Sequence, residues 1–365
     1  MRIAMIGTRG VPARYGGFET AIEEIGSRLV AAGHEVRVYC RGAESPQGEY
    51  KGMRLVHLPA VRHKALETLS HTTLSVAHLL FRRTDVALVF NAANAPLLPL
   101  IKLARIPVAT HVDGLEWKRA KWNGTGRRYY LAAERLAVRW SRQIIADAVA
   151  IQHYYRDRYG APSVMIPYGA PIQDDCDAGL LAREGYQVGG FHLVVARFEP
   201  ENHVDLIVEG YTRSSAKLPL VVVGSAPYAE EYSRRISALA EKDERVRLVG
   251  GVWDQDLLDA LYAGCASYLH GHSVGGTNPS LLRAMGAGAP VVAFDVVFNH
   301  EVLGDSGVFF AGPDDLAAAV EEAEASPSHA RERGDSGRER ARTHYTWDDV
   351  AARYERLCHD LEAGA

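Results

Sequence analysis

Short apolar segments alternate with segments of helical periodicity along most of the chain. Several apolar segments lack the polar alternation of half-exposed strands, which is typical of parallel strands buried on both faces. In the first half they predict strands at Arg2–Gly7, Glu35–Arg41, Met53–Pro59, Val86–Ala92, Pro107–Val112, Gln143–Ala148 and Ser163–Tyr168. Helices are predicted at Gly17–Ala32, Ala65–Phe81, Pro96–Ala104, Arg127–Ser141 and Ala148–Tyr159. This alternation indicates a doubly wound α/β domain.

The pattern pauses at a polar stretch marked by Asp174, Asp175, Asp177 and Gly189-Gly190, and then begins again. Beyond it, strands are predicted at His192–Phe198, Leu220–Gly224, Val246–Gly250, Ala266–His270, Val291–Phe294 and Gly307–Phe310. Helices are predicted at His203–Ser215, Ala229–Ala240, Gln255–Ala263, Pro279–Ala287, Pro313–Ala325, Ser328–Arg342 and Thr346–Leu361. We therefore expect two Rossmann-like domains, residues 1–170 and 191–345, joined by a linker at 171–190. Their parallel sheets are expected to face a central cleft, and a last helix at about 346–363 could pack back onto the first domain.

Composition supports a globular protein of two domains. The chain has 365 residues, of which 47% are hydrophobic, and single cores rarely grow beyond about 250–300 residues. We find no secretory signal and no apolar run long enough to span a bilayer. The four cysteines lie far apart without a metal or redox spacing, which favours a cytoplasmic location.

Charge is unevenly distributed along the chain. Residues 1–187 are net basic and residues 188–365 are net acidic. Much of the basic charge lies in residues 118–142, interleaved with aromatic residues, which suits peripheral contact with an anionic membrane at its inner face. An ordinary solvated helix face with core aromatics explains the same pattern. Nucleic-acid binding is not expected, because no recognised module is present and the second half is acidic.

The stretch His270–Pro290 predicts an anion-binding turn. Gly275-Gly276 permits a tight turn after a strand, Thr277 or Asn278 can cap a helix, and Pro279 begins it. Backbone N–H groups and the helix dipole then favour a phosphate at Gly276 to Ser280. An ordinary strand-to-helix turn remains the alternative.

A second glycine loop follows the first predicted strand. Gly7-Thr8-Arg9-Gly10 is not a dinucleotide fingerprint, because the G-x-G-x-x-G spacing is absent. Gly16-Gly17 precedes a helix with Glu19 in its first turn, so that its amides can approach a phosphate closely. A turn needed only for strand-to-helix packing is the alternative.

The order of these elements resembles that of the family 4 glycosyltransferases of GT-B fold, over nearly the whole chain. The resemblance includes Pro167-Tyr168-Gly169, Ala196-Arg197-Phe198 and Tyr345-Thr346-Trp347. Three longer stretches, at Gly7–Thr20, Asp113–Trp122 and His272–Leu282, resemble a bacterial branch that contains rhamnosyltransferase-like enzymes.

The resemblance implies a role for several residues. His111 matches a histidine that faces the transferred sugar, with Asp113 and Glu116 beside it as further catalytic candidates. Trp117 and Trp122 could stack on a sugar ring or pack in the core. Donor-binding candidates are Gly16, Gly17, Arg197, Asn202, His203, Gly275, Gly276, Thr277, Asn278 and Arg283.

Two departures from the family pattern affect the donor site. Asn202 stands where most relatives have a lysine, so Asn202 or His203 is expected to share the diphosphate with Arg197. Gly275 and Arg283 stand where retaining relatives carry two glutamates, the second of which binds ribose. We expect Arg283 to turn away from the ribose, toward Asp295, Glu301 or the diphosphate.

The implied function is transfer of a sugar, with rhamnose or a similar deoxysugar as the branch expectation. The donor would be a nucleotide diphosphate sugar, the acceptor a hydroxyl of a glycan, glycolipid or small molecule, and retention the family expectation. No metal or other cofactor is expected, because Arg197, helix termini and glycine loops would neutralise the diphosphate. A sugar-nucleotide epimerase and a non-catalytic sugar-nucleotide-binding homologue remain the alternatives.

Overall fold

The computed structural model describes residues 1–13, 16–42, 48–61, 67–112, 114–119, 122, 124–224 and 230–364. The chain divides into two compact units, which we call unit 1 (Met1–Tyr168 with Trp347–Ala365) and unit 2 (Gly169–Thr346). Within the described ranges, no helix is long and apolar enough to cross a membrane.

Unit 1 is built on one twisted sheet. Its strands are β1 (Arg2–Ile6), β2 (Glu35–Arg41), β3 (Glu49–Tyr50), β4 (Met53–Leu58), β5 (Val86–Phe90), β6 (Val108–His111), β7 (Gln143–Ala146) and β8 (Ser163–Met165). They lie in the order β3-β4-β2-β1-β5-β6-β7-β8. All pairs are parallel except β3 with β4, an antiparallel pair that the sequence did not predict because two residues carry no pattern.

The helices of unit 1 follow the predicted alternation. They are α1 (Gly17–Ala31), α2 (Glu67–Leu80), α3 (Leu98–Leu103), α4 (Gly124–Trp140) and α5 (Val149–Tyr159), with 3₁₀ turns at Ala92–Leu97 and Glu116–Lys118. The helix expected at Pro96–Ala104 begins earlier, as a 3₁₀ turn, because the Asn91 side chain accepts a hydrogen bond from the Ala93 N–H. The expected start of α2 at Ala65 lies outside the described residues.

Unit 2 contains a second, entirely parallel sheet. Its strands are β9 (His192–Val195), β10 (Leu220–Val223), β11 (Val246–Gly250), β12 (Ser267–His270), β13 (Val291–Phe294) and β14 (Gly307–Phe310). They lie in the order β11-β10-β9-β12-β13-β14, so that the direction of winding reverses between β9 and β12. Ligands of open parallel sheets bind at the carboxyl ends of the strands at such a reversal.

The helices of unit 2 include two that the sequence did not predict, α6 and α11. They are α6 (Ala178–Arg183), α7 (Val204–Arg213), α8 (Glu230–Ala240), α9 (Gln255–Gly264), α10 (Pro279–Gly286), α11 (Val297–Leu303), α12 (Pro313–Ala325) and α13 (Pro327–His344), with 3₁₀ turns at Pro200–Asn202 and Gly304–Ser306. The expected start of α8 at Ala229 lies outside the described residues.

The stretch expected as a linker is an ordered part of unit 2. Helix α6 lies within it, capped by the Asp177 side chain, which accepts from the Leu180 N–H. Leu181 is fully buried and packs so closely on Gly264 that a Cβ there would lie 2.4 Å from Leu181 Cδ1. Capping and burial of one leucine therefore order a stretch whose composition is that of a linker.

The final helix α14 (Trp347–Ala363) belongs to unit 1, although the rest of that unit precedes residue 169. Its buried side chains recur at helical spacing and are Trp347, Val350, Ala351, Tyr354, Leu357, Cys358 and Leu361. Each large apolar side chain buried in this way contributes about 1.5–3 kcal/mol. The amphipathic pattern of α14 therefore explains why the helix packs on the rest of unit 1.

Candidate functional site

The loop after β1 approaches its neighbours too closely for a side chain. Gly7 has φ +104°, and a Cβ there would lie 2.3 Å from the Phe90 carbonyl oxygen at the end of β5. Gly10 is similarly placed against Cys40. These two glycines let the chain leave β1 across the adjacent strand ends, at the edge where ligands of parallel sheets bind.

Gly16 and Gly17 lie where the loop enters α1. Gly16, with φ +104°, is the N-cap and forms no side-chain cap hydrogen bond, and Gly17 is the first helical residue. The N–H groups of a helix's first turn lack helical partners, so this end suits an anion. The Glu19 carboxylate accepts from the Arg9 N–H at 3.0 Å, and burial raises its pKa. A diphosphate at this turn would lie close to that carboxyl group.

His111 ends β6 inside an aromatic cage. Its ring centroid lies 5.1 Å from Phe18, 5.7 Å from Phe90 and 5.7 Å from Tyr168. Its Nδ1 is 2.7 Å from the hydroxyl of Tyr354 on α14. Burial lowers the pKa of His111 to about 3, so the imidazole is neutral at physiological pH.

The second ring nitrogen of His111 has no hydrogen-bond partner among the residues that the structure describes. A buried polar atom without a hydrogen bond lowers the stability of the folded state. A hydrogen-bonding group of a bound substrate would satisfy His111 Nε2. The sequence pattern found His111 but not Tyr354, which lies 243 positions away on the returning helix.

Asp113 and Glu116 are the other two catalytic candidates of unit 1. Asp113 lies outside the described residues. Glu116 is buried in a 3₁₀ turn, where it pairs with Arg119 and accepts from Trp122 Nε1 at 3.3 Å. These contacts favour a role for Glu116 in holding the loop rather than in proton transfer.

The aromatic residues of the basic segment pack against the protein itself. Trp117 Nε1 donates to the Tyr154 hydroxyl at 3.2 Å, and the Arg127 guanidinium lies 4.7 Å from the Trp117 ring. The Trp122 ring lies 5.0 Å from that of Tyr130. Both tryptophans are half-buried against side chains of unit 1, and sugar stacking by either ring stays a prediction.

In unit 2, Arg197 follows β9 at the reversal of the sheet. Its side chain is 40% exposed and its Nη1 lies 3.7 Å from a Glu199 carboxylate oxygen. The buried Asn202 side chain donates to the Arg197 carbonyl oxygen at 2.8 Å. Asn202 thus fixes the backbone that carries Arg197, and its contact with a diphosphate stays a prediction.

His203 is held by the neighbouring strand end. It adopts a left-handed conformation at φ 47°, its Nδ1 donates to the Gly271 carbonyl oxygen at 2.9 Å, and its ring stacks on Phe294 at 4.2 Å. Because Nδ1 carries the proton, the neutral ring presents Nε2 as an acceptor. His203 can share an anion only when it is protonated.

The glycine turn after β12 is capped as predicted. Gly275 has φ +152° and open space around its Cβ position. Asn278, rather than Thr277, is the N-cap of α10, and its side chain accepts from the Ser280 N–H at 2.9 Å. Gly276 and Thr277 are buried in the turn that leads to it. The turn thus brings the amino end of α10 to the edge where Arg197 follows the adjacent strand.

A buried network beneath this turn contains a second histidine, which the sequence analysis did not name as a site residue. The Tyr268 hydroxyl lies 3.2 Å from His270 Nδ1 and 3.2 Å from Ser280 Oγ. Burial lowers the pKa of His270 to about 3, and its Nε2 has no hydrogen-bond partner within the described part of the chain. The sequence signal that could have identified His270 is its position at a strand end just before a glycine turn.

Arg283 is bound to a partner that the sequence analysis did not name. Its Nε donates to Asp259 Oδ1 at 2.6 Å and its Nη1 to Gln255 Oε1 at 2.9 Å, both on α9. The expected turn toward Asp295 or Glu301 is therefore wrong, because the guanidinium lies along the neighbouring helix. Arg283 is held between α10 and α9, and we infer a structural role for it.

Comparison with known proteins gives matches in both units. Residues 16–169 match the model of the glycosyl transferase 4-like domain, and residues 191–325 match that of the glycosyl transferases group 1. Over 133 residues the chain is 26% identical to the O-antigen chain mannosyltransferase B of Escherichia coli, covering 35% of this chain and 34% of that protein. It is also 29% identical over 118 residues to the UDP-N-acetylglucosamine–peptide N-acetylglucosaminyltransferase GtfA subunit of Streptococcus gordonii, covering 32% of this chain and 22% of that protein. The matched regions are thus about a third or less of these curated relatives.

Solved structures match over the full length. A sucrose-phosphate synthase from Thermosynechococcus elongatus has a TM-score of 0.86 at 20% identity, with 100% of both chains covered. Anabaena HepE in complex with UDP-glucose has a TM-score of 0.80 at 16% identity, covering 99% of this chain and 100% of that chain. Together with the two parallel sheets, these structures show that the chain has the GT-B fold. The two family models, matched at residues 16–169 and 191–325, place it among the glycosyltransferases.

Proposed function

We propose that the chain transfers a sugar from a nucleotide diphosphate donor to a hydroxyl acceptor. The observation that carries this proposal is the Asn278-capped amino end of α10, which follows a glycine turn at the reversal point of the unit 2 sheet. A helix terminus at that point favours a phosphate. HepE, which shares the fold, was solved with UDP and with UDP-glucose.

The diphosphate is proposed to lie between this helix end and Arg197. The two follow the adjacent strands β12 and β9, and their loops are tied together by the Ser273 N–H, which donates to the Glu201 carbonyl oxygen at 2.9 Å. A half-exposed guanidinium can neutralise a leaving diphosphate without a metal ion. Gly16 and Gly17 of unit 1 are proposed as further phosphate contacts, and Asp113 as a further catalytic residue.

His111 is proposed to act as a neutral hydrogen-bonding group for the sugar. Its lowered pKa, about 3, opposes formation of an imidazolium in the folded protein, which disfavours it as the base for the acceptor hydroxyl. When Tyr354 donates to Nδ1, the proton of the neutral ring lies on Nε2, which then donates to a sugar oxygen. Catalysis would rest on positioning and on neutralisation of charge.

The donor and the stereochemistry remain predictions. The three sequence stretches favour rhamnose carried by deoxythymidine diphosphate, with retention. Arg283 supports a donor that needs no ribose carboxylate, because no glutamate stands at that position and the arginine is bound to Asp259. None of the relatives described above is an epimerase. Peripheral membrane contact through residues 118–142 is also a prediction, which sedimentation with anionic vesicles would test.

Calorimetry with UDP, deoxythymidine diphosphate and their sugars, followed by mass spectrometry of reactions with acceptors, tests the proposal. We expect one diphosphate to bind, and Arg197→Ala to weaken it by about 1.5–3 kcal/mol. Arg331→Ala, which changes an exposed arginine on α13, is the matched control and should leave affinity unchanged. Equal affinity in wild type and Arg197→Ala would remove Arg197 from the site. Absence of any transferred sugar, with donor bound, would favour the non-catalytic alternative.

A further inference from the structure

Three side chains of types that can ligate a metal ion lie together in unit 1, and none of them belongs to the candidate catalytic or donor-binding residues. His34 lies in the turn between α1 and β2, and Glu355 and His359 lie on α14. One ligand atom from each lies within 4.8 Å of the other two, and these are the one such group of three among the described residues. No metal was expected from the sequence, because neither the cysteine spacing nor the donor site indicates one.

The geometry of the three side chains fits a small metal ion. His34 Nε2 lies 2.9 Å from Glu355 Oε1, and the rings of His34 and His359 have centroids 5.7 Å apart. Glu355 and His359 are four residues apart, which places them on one face of the helix. A tetrahedral zinc ion with bonds of about 2.0–2.2 Å brings its ligand atoms to about 3.3–3.6 Å from one another. Only a small movement is therefore needed, and the exposed His359 is free to make it.

The surroundings fix one ligand and leave the site open to solvent. The His34 side chain is only 7% exposed, and its Nδ1 lies 3.3 Å from the main-chain nitrogen of Met1. This contact holds the position of the ring, and an ion on Nε2 would require Nδ1 to donate to the Met1 nitrogen instead of accepting from it. The Glu355 side chain is 34% exposed, so that water can reach a fourth coordination position.

We propose that His34, Glu355 and His359 bind a divalent transition-metal ion of the zinc type, with water as the fourth ligand. Two imidazoles and one carboxylate select zinc, cobalt or nickel over magnesium or calcium, which prefer all-oxygen sites. The ion would join α14 to the turn between α1 and β2. Residue 354, the neighbour of Glu355, is the tyrosine whose hydroxyl contacts His111, so the ion would also stabilise the helix that orients this histidine.

The test uses untagged, full-length protein from which metal has been removed by chelation. Zn²⁺ is titrated by calorimetry, and Co²⁺ is followed by its visible absorption, which is intense when coordination is tetrahedral. We expect one ion per chain, no binding of Mg²⁺, and a higher thermal midpoint when zinc is present. His359→Ala and Glu355→Gln should each weaken zinc binding at least tenfold and abolish the thermal shift.

His153→Ala is the matched control, because His153 is an exposed histidine on α5 of the same unit. It should bind zinc as wild type does. Circular dichroism checks that each variant is folded. If His359→Ala does not fold, the comparison is made with Glu355→Gln alone. Wild-type affinity in a folded His359→Ala or Glu355→Gln variant would overturn the proposal, as would failure of the wild type to bind zinc or cobalt.

Discussion

At the scale of single residues, buried neutral histidines couple stability to pH. The pKa values of His111 and His270 are lowered by burial from 6.5 to about 3, and that of His71 to about 4. In each case the unfolded chain binds a proton that the folded chain does not. Stability is therefore full above pH 6.5 and falls as the pH decreases toward the folded pKa.

Replacing one of these histidines should reduce that pH dependence. Each histidine should lower the free energy of unfolding by roughly 2 kcal/mol between pH 6.5 and pH 5. In His111→Gln, the free energy of unfolding, measured with urea between pH 6.5 and pH 5, should fall less steeply with decreasing pH by this amount. His153→Gln, at an exposed position, should keep the wild-type slope. An unchanged slope in His111→Gln would show that His111 is protonated in the folded state.

The pair Arg283–Asp259 leads to a second prediction about single residues. Arg283→Glu should place two carboxylates together and lower the stability of unit 2 by about 1 kcal/mol. The reversed pair, Arg283→Glu with Asp259→Arg, should recover most of the loss, and thermal unfolding of the three proteins measures both effects. If the reversal recovers nothing, Arg283 acts through another partner.

Sequence pattern placed the candidate residues on their elements but did not assign their partners. Strand ends and glycine turns are local signals, so the strand-end positions of His111 and Arg197 and the cap at Asn278 could be predicted. The partner of Arg283 could not, because Asp259 is reached only when α9 and α10 pack together. Tyr354 was missed for the same reason, since its contact with His111 depends on where the last helix docks.

At the scale of elements, the strands and α-helices that the sequence did not predict are all short. They are β3, α6 and α11, with two, six and seven residues. Each is too short to show a period, and α6 depends on the Asp177 cap and on burial of Leu181. Tertiary contacts rather than local pattern stabilise such elements.

Helix α14 is the element whose contribution is easiest to isolate. Tyr354→Phe removes the hydroxyl that contacts His111 Nδ1 and should lower stability by about 1 kcal/mol. Because His111 would then lose its orientation, turnover should fall while donor affinity stays unchanged. Kinetics and calorimetry on the same preparation separate the two effects.

Tyr39→Phe is the control for this variant. The Tyr39 hydroxyl lies 3.1 Å from His78 Nδ1 in the same unit, so the same kind of contact is lost elsewhere. Similar destabilisation with normal turnover is expected there. If both variants lost turnover equally, the effect of Tyr354→Phe would come from lower stability and not from the orientation of His111.

At the scale of the whole molecule, the chain builds one unit from two separated segments. Unit 2 is continuous from Gly169 to Thr346, whereas unit 1 needs residues from both sides of it. The fragment 169–346 should therefore fold alone with a cooperative thermal transition. A chain that stops at Thr346 should keep the transition of unit 2 and lose that of unit 1. Calorimetry distinguishes these cases, and a chain that stops at Ala363 is the control that keeps all of α14.

The split of unit 1 also sets the order in which the protein can mature during translation. All of β1–β8 is synthesised before unit 2, and the apolar surface that α14 covers stays uncovered until α14 has been made. Unit 2 can fold as soon as it emerges, but Tyr354 reaches His111 only after unit 2 has been made. The first unit of a nascent chain is therefore open to chaperones and proteases during that time, and a premature stop codon between positions 347 and 354 removes the tyrosine that orders His111 while leaving unit 2 complete.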